Sequence, residues 1–206
     1  MQTTKINIQS IPGYQVNEYL LVLNPHEELR NKIRLAKKEF ADSYGTPYSS
    51  GSRPHIALVS FSQYAMMEER VLHRIKTLSM GYHPFRVELR NFGSFPSHSV
   101  FIQVATKEPI RGLIREMKTA QQLMKLNRDH KPHFFDEPRL NIATRLQPVQ
   151  YEKSWAEYSQ KSFTGRFVAD SMLLLKRRAG DRAYQIAQRL EFMNLPVITR
   201  QGELFA

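Results

Sequence analysis

Apolar positions along the chain come in short blocks whose period switches repeatedly between two and about 3.6, the spacings of strands and helices. EYLLVLN (18–24) reads as a buried strand. HEELRNKIRLAKKEF (26–40) reads as an amphipathic helix, with Leu29, Ile33, Leu35, Ala36 and Phe40 over one broad face. A turn-rich loop, GTPYSSGSRP (45–54), leads into RPHIALVSF (53–61), a nearly unbroken apolar strand with His55 at its entrance. MMEERVLHRIKTLSM (66–80) is a second helix, and FRVELRNF (85–92) and VFIQVAT (100–106) form a strand pair joined through GSFPSH. A third helix spans 108–124, with Pro109 near its first turn, where a missing N–H costs little. RLNIATRL (139–146) is a short strand entered, like that of His55, directly after a proline. Residues 151–160 read as helix, 166–178 as one strand, and 182–193 as strand or helix. The pattern is α+β with mostly antiparallel strands. It offers no place to divide the chain, so residues 1–206 are expected to form a single domain.

Composition narrows the setting. Hydrophobic residues at 41% and charged residues at 24% describe an ordered globular protein. The N-terminus lacks the features of a signal peptide, and no apolar run approaches the ~20 residues of a membrane span. A soluble, cytoplasmic protein without membrane association is the expectation. The chain has no cysteine, which excludes disulfides, thiolate nucleophiles and thiolate metal sites. Thirty Lys and Arg stand against 19 acidic residues, a net charge of +11. The second half, residues 104–206, is the more basic, with 18 basic and 11 acidic groups. A polyanionic partner such as RNA or a phosphate-bearing nucleotide follows from that balance. The densest basic run is Lys176-Arg177-Arg178.

RPHIALVSF and EPRLNIATRL are alike. Each is a Pro-X-apolar strand, and Arg139 follows His55 by 84 positions. In a strand residues i and i+2 share a face, so His55 accompanies Ala57 and Arg139 accompanies Asn141. These two segments make the chain resemble the 2H phosphoesterases, in particular their 2'-5' RNA ligase-like branch. Members of that branch carry two His-X-Thr/Ser strands about eighty residues apart, one in each lobe. PHIALVSF resembles the first motif and PRLNIATRL stands where the second belongs. The resemblance implies a bilobal α+β fold, two antiparallel sheet lobes with flanking helices and a basic groove between them. It also implies metal-free chemistry on phosphodiesters or 2',3'-cyclic phosphates, with one histidine as base, the other as acid, and the hydroxyls holding phosphate oxygens. No cofactor and no metal ion are expected.

Of those four motif side chains only His55 remains. Ala57 removes a hydroxyl, and with it a phosphate hydrogen bond of about 1 kcal/mol. Arg139 replaces the second histidine. A guanidinium keeps its proton across the physiological range, so it cannot exchange one as imidazole does, but it grips phosphate with paired N–H groups. Asn141 can still donate a hydrogen bond. His55 is therefore the candidate catalytic residue, and Arg139 and Asn141 are candidate substrate-binding residues. His98, at the entry of another strand, joins them as a second binding candidate. His133, just before the second motif, lacks a hydroxyl two residues on. His26 with Glu27 and Glu28 lacks a helical metal-binding spacing, and no P-loop signature occurs. Tyr48 and Phe95, in loops, are of a type that stacks on bases. The tail RQGELFA (200–206) resembles Gln-x-x-Leu-Phe peptides that dock on bacterial sliding clamps. The expected function is phosphate-ligand binding in the inter-lobe groove by a catalytically impaired member. The alternative is an active cyclic phosphodiesterase or RNA ligase that uses His55.

Overall fold

Two antiparallel sheets carry the architecture, and a computed structural model of the protein describes residues 13–48, 53–96 and 98–195. The first sheet has the order β5-β2-β1-β8-β9 and the second β6-β4-β3-β7. In chain order the strands are β1 (Val16–Leu23), β2 (Ile56–Tyr64), β3 (Phe85–Phe95), β4 (Ser99–Val104), β5 (His133–Phe134), β6 (Arg139–Thr144), β7 (Thr164–Ala169), β8 (Ser171–Arg178) and β9 (Gln185–Glu191). The helices are α1 (Glu27–Tyr44), α2 (Glu68–Met80), α3 (Lys107–Lys118), α4 (Gln121–Met124) and α5 (Pro148–Tyr158). Helices α2, α3 and α4 pack on the first sheet, whereas α1 and α5 pack on the second. The fold is the bilobal α+β arrangement. No helix among the described residues is long and apolar enough to cross a membrane.

Local chemistry sets the element ends. His26 caps α1 by accepting the Leu29 N–H through Nδ1 (3.3 Å), and Glu27 and Glu28 complement the positive end of the helix. Gly45 ends α1 in the left-handed conformation at φ 62° and donates its N–H to Ala41 O. A Cβ there would meet nothing within 4 Å, so only backbone strain opposes one. Gly45→Ala is therefore expected to lower stability by about 1 kcal/mol in urea unfolding, with Gly45→Asn closer to the natural chain. An unchanged midpoint for Gly45→Ala would contradict this account of the turn. Pro148 opens α5, and Gln147 and Gln150 form a reciprocal cap there.

Two sequence expectations change and one open choice is resolved. Residues 166–178 are not one strand: β7 belongs to the second sheet and β8 to the first, with Asp170 alone between them. The Asp170 carbonyl accepts from Phe192 N–H (2.8 Å) and its carboxylate meets Arg189 (3.1 Å), which fixes the crossing from lobe to lobe. The helix expected over 108–124 breaks after Lys118, where the Thr119 hydroxyl turns back onto Glu116 O (2.7 Å). Residues 182–193 resolve as strand β9. The tail at 200–206 lies outside the described residues.

The core is a cluster of buried side chains contributed by both sheets and their helices. On α1, Leu29, Ile33, Phe40 and Ala41 are buried, and Phe40 packs its ring 4.9 Å from Tyr44 and 5.0 Å from Tyr158 of α5.

Candidate functional site

Between the lobes lies a cleft of about 490 Å³. His55 and Ala57 line it from the first sheet, and Arg139, Asn141, Ala143 and Thr144 from the second. The two motif segments, 84 residues apart in the chain, thus open onto one space.

Their local geometry also corresponds. Strand β2 is irregular against β1 where Leu21 pairs with Val59 and Val22 with Ala57, leaving Leu58 as the extra residue. Strand β6 is irregular against β4 where Val100 pairs with Ala143 and Phe101 with Asn141, leaving Ile142. Leu58 and Ile142 are again 84 positions apart. A bulge bends its strand and re-aims the neighbouring side chains, so each lobe presents its motif residues with the same device.

His55 stands just ahead of β2, fixed by Pro54 and by a hydrogen bond from its Nδ1 to Arg53 O (2.8 Å). A carbonyl only accepts, so Nδ1 carries the proton and the neutral ring keeps its lone pair on Nε2. Burial depresses the His55 pKa below the ordinary histidine value, and the positive charge of Lys37 pushes in the same direction. The imidazole is accordingly neutral at pH 7 and able to accept a proton or a hydrogen bond.

Arg139 lines the same cleft from the other lobe. Its guanidinium lies 4.4 Å over the Phe95 ring and 5.8 Å from that of Phe101, and the two rings are themselves 5.2 Å apart. Stacking on rings fixes the plane of a guanidinium while leaving its N–H edge free for an oxyanion. Among the described residues no carboxylate pairs with Arg139. Glu137, the carboxylate lining the cleft, is held instead by Arg111 (2.5 Å) and Lys107 (3.2 Å). Those two cations lower the Glu137 pKa.

The model of the 2'-5' RNA ligase superfamily matches residues 23–181, which include both motif strands. The chain belongs to that superfamily. Solved structures share the fold at low identity. Escherichia coli LigT complexed with 3'-AMP is 12% identical with a TM-score of 0.60, over 86% of this chain and 98% of LigT. TT0787 of Thermus thermophilus is 16% identical with a TM-score of 0.55, over 85% of this chain and 98% of that one. E. coli LigT complexed with phosphate is 14% identical with a TM-score of 0.53, over 86% and 98%. No curated relative matches the chain.

Of the other sequence candidates, His98, His133 and His26 are not part of the cleft lining. The His98 ring stacks near-parallel on Phe95 at 5.9 Å and donates through Nδ1 to Pro96 O (3.0 Å) in the β3–β4 turn. It backs the ring that carries Arg139. His133 pairs with Ser60 in β5 and packs edge-on against Phe135. His26 is spent on capping α1. Of the basic run, Lys176 pairs with Glu68 and Arg177 with Glu18, so two of its three charges serve the first sheet. Tyr48 does line the cleft, and Phe95 supports it through Arg139.

Sequence reasoning missed Lys37, Arg53 and Arg145 as members of the lining. Lys37 had a readable signal. It stands four residues after Ile33 and four before Ala41, both buried, so a lysine occupies an apolar phase of α1.

Proposed function

We propose that the inter-lobe cleft binds a phosphate-bearing ligand, a nucleotide or the phosphorylated end of an RNA, and that the chain has lost most of the acid–base capacity of its relatives. The observation that carries this reading is that His55 and Arg139 line one cleft, with Ala57 and Asn141 two residues on from each. Four basic side chains, Lys37, Arg53, Arg139 and Arg145, line the space, and its carboxylate is already neutralised by Arg111 and Lys107. LigT has been crystallised with 3'-AMP and with phosphate, which makes such ligands the natural first probes. The cysteine-free composition fits a reducing, cytoplasmic setting.

In this reading the phosphate sits between the lobes. Arg139 donates paired N–H bonds to two oxygens, Asn141 donates to a third, and His55 meets the ester side. Losing a positioned acid or base lowers rates by about 10²- to 10⁴-fold, so turnover is slow or absent. Arg139→Ala is expected to weaken binding of a nucleoside monophosphate by roughly 10- to 100-fold, the worth of charge-assisted hydrogen bonds. Wild-type binding itself should weaken between low and physiological salt. Calorimetric titration checks both, and equal affinity in Arg139→Ala would contradict the phosphate role of the guanidinium.

One observation favours the alternative of a working phosphodiesterase or RNA ligase: the neutral His55 ring, whose Nε2 has no partner among the described residues, is suited to a general base. Assay of 2',3'-cyclic nucleotides and 2'-5'-linked oligomers separates the two. Turnover by the natural chain that disappears in His55→Ala establishes the alternative and ends the impaired reading.

A further inference from the structure

We propose that Lys37 supplies the second phosphate-holding cation of the cleft, and that together Lys37 and Arg139 fit it to a phosphate monoester dianion in preference to a diester. The inference rests on the phosphate-binding reading above and deepens it.

The placement follows from helix phase. Leu29, Ile33 and Ala41 are buried at four-residue steps along α1, and Lys37 occupies the step between the last two. Helix α1 packs against β6 and β7, so this stripe faces the sheet that carries Arg139. Lys37 therefore runs its stem along the buried stripe and lines the cleft with its amine end, as half-buried lysines do. Its charge reaches His55, whose imidazole it disfavours from protonating. Burial lowers the Lys37 pKa as well.

Among the described residues the amine has no counter-ion. No hydrogen bond or ion pair to Lys37 occurs among the described residues, and the lining carboxylate, Glu137, is occupied by Arg111 and Lys107. A half-buried ammonium without a partner is costly, and an anionic ligand removes that cost. The remaining charged groups lining the cleft, Arg53 and Arg145, are exposed cations at its edge. With His55 neutral, the two less exposed fixed charges are those of Lys37 and Arg139. Two positive groups match a phosphate monoester, which carries close to two negative charges at pH 7, better than a diester, which carries one.

Two measurements on the full chain test this. Calorimetry with a nucleoside 3'-monophosphate and its methyl diester is expected to show wild type preferring the monoester by at least about tenfold. Lys37→Met should lose that preference, and Lys37→Arg should keep most of it. In the ligand-free protein, NMR titration of the His55 ring should give a higher pKa in Lys37→Met than in wild type, because the neighbouring charge is gone. A folded Lys37→Met that binds both esters as wild type does, with an unmoved His55 pKa, overturns the inference. If Arg139→Ala weakens binding while Lys37→Met does not, this inference falls and the phosphate reading stands. Wild type binding neither ester overturns both.

Discussion

The variant combining Ala57→Thr, Arg139→His and Asn141→Thr is expected to hydrolyse a 2',3'-cyclic nucleotide at least about 10²-fold faster than the natural chain. The cleft already has the frame for that chemistry. Both motif strands open onto it, each beside a bulge at the equivalent position, and among the described residues nothing hydrogen-bonds to His55 Nε2. What it lacks is a second group that can give up a proton near neutral pH and the hydroxyls that hold the phosphate oxygens. An imidazole at 139 supplies the first, and the Phe95 ring that now carries the guanidinium at 4.4 Å offers it a stacking surface. Two threonines restore about 1 kcal/mol each in hydrogen bonding to phosphate. Adding His55→Ala to the triple variant should return the rate to background. A folded triple variant no faster than the natural chain would mean that the lobes do not hold positions 55 and 139 in register for catalysis.

The second large effect is on stability. Phe40→Ala is expected to destabilise the protein by about 3–5 kcal/mol, lowering the urea midpoint without changing the m-value. Phe40 has no exposed surface and sits where α1 meets α5, between Tyr44 and Tyr158. Tyr158 in turn stands edge-on to Phe92 of β3, 4.8 Å away. Removing the ring leaves a cavity bounded by rigid aromatic neighbours that cannot collapse to fill it. Because α1 also carries Lys37 and the Gly45 turn into the cleft, the variant should bind phosphate ligands less tightly as well. A loss under about 1 kcal/mol would place the weight of this junction elsewhere.

Much of this was legible in the residues. The period of the apolar positions located most of the elements, and the likeness of RPHIALVSF to EPRLNIATRL identified two segments that line one cleft. That likeness extends to the bulges at Leu58 and Ile142, which no sequence pattern announces. The lobe crossing at Asp170 was hidden because a single polar residue, without glycine or proline, separates two strands. Its trace is a change of burial pattern. Strand β7 buries alternate residues, Phe167 and Ala169, whereas β8 buries Met172, Leu173 and Leu174 in succession. His98, read from its place before a strand, sits in the β3–β4 turn against Phe95 and reaches the cleft only through the ring that carries Arg139. Lys37 was overlooked because a lysine on a helix is usually read as solvated, and its phase among Leu29, Ile33 and Ala41 carried the contrary signal.

The most direct test of the central claim is the position of a bound phosphate. In crystals grown with a nucleoside 3'-monophosphate, the phosphate is predicted to lie in the inter-lobe cleft, within hydrogen-bond distance of both His55 Nε2 and the Arg139 guanidinium. A phosphate found elsewhere, for instance in the polar notch beside Trp155 and Lys161, with the cleft between His55 and Arg139 empty, would contradict it.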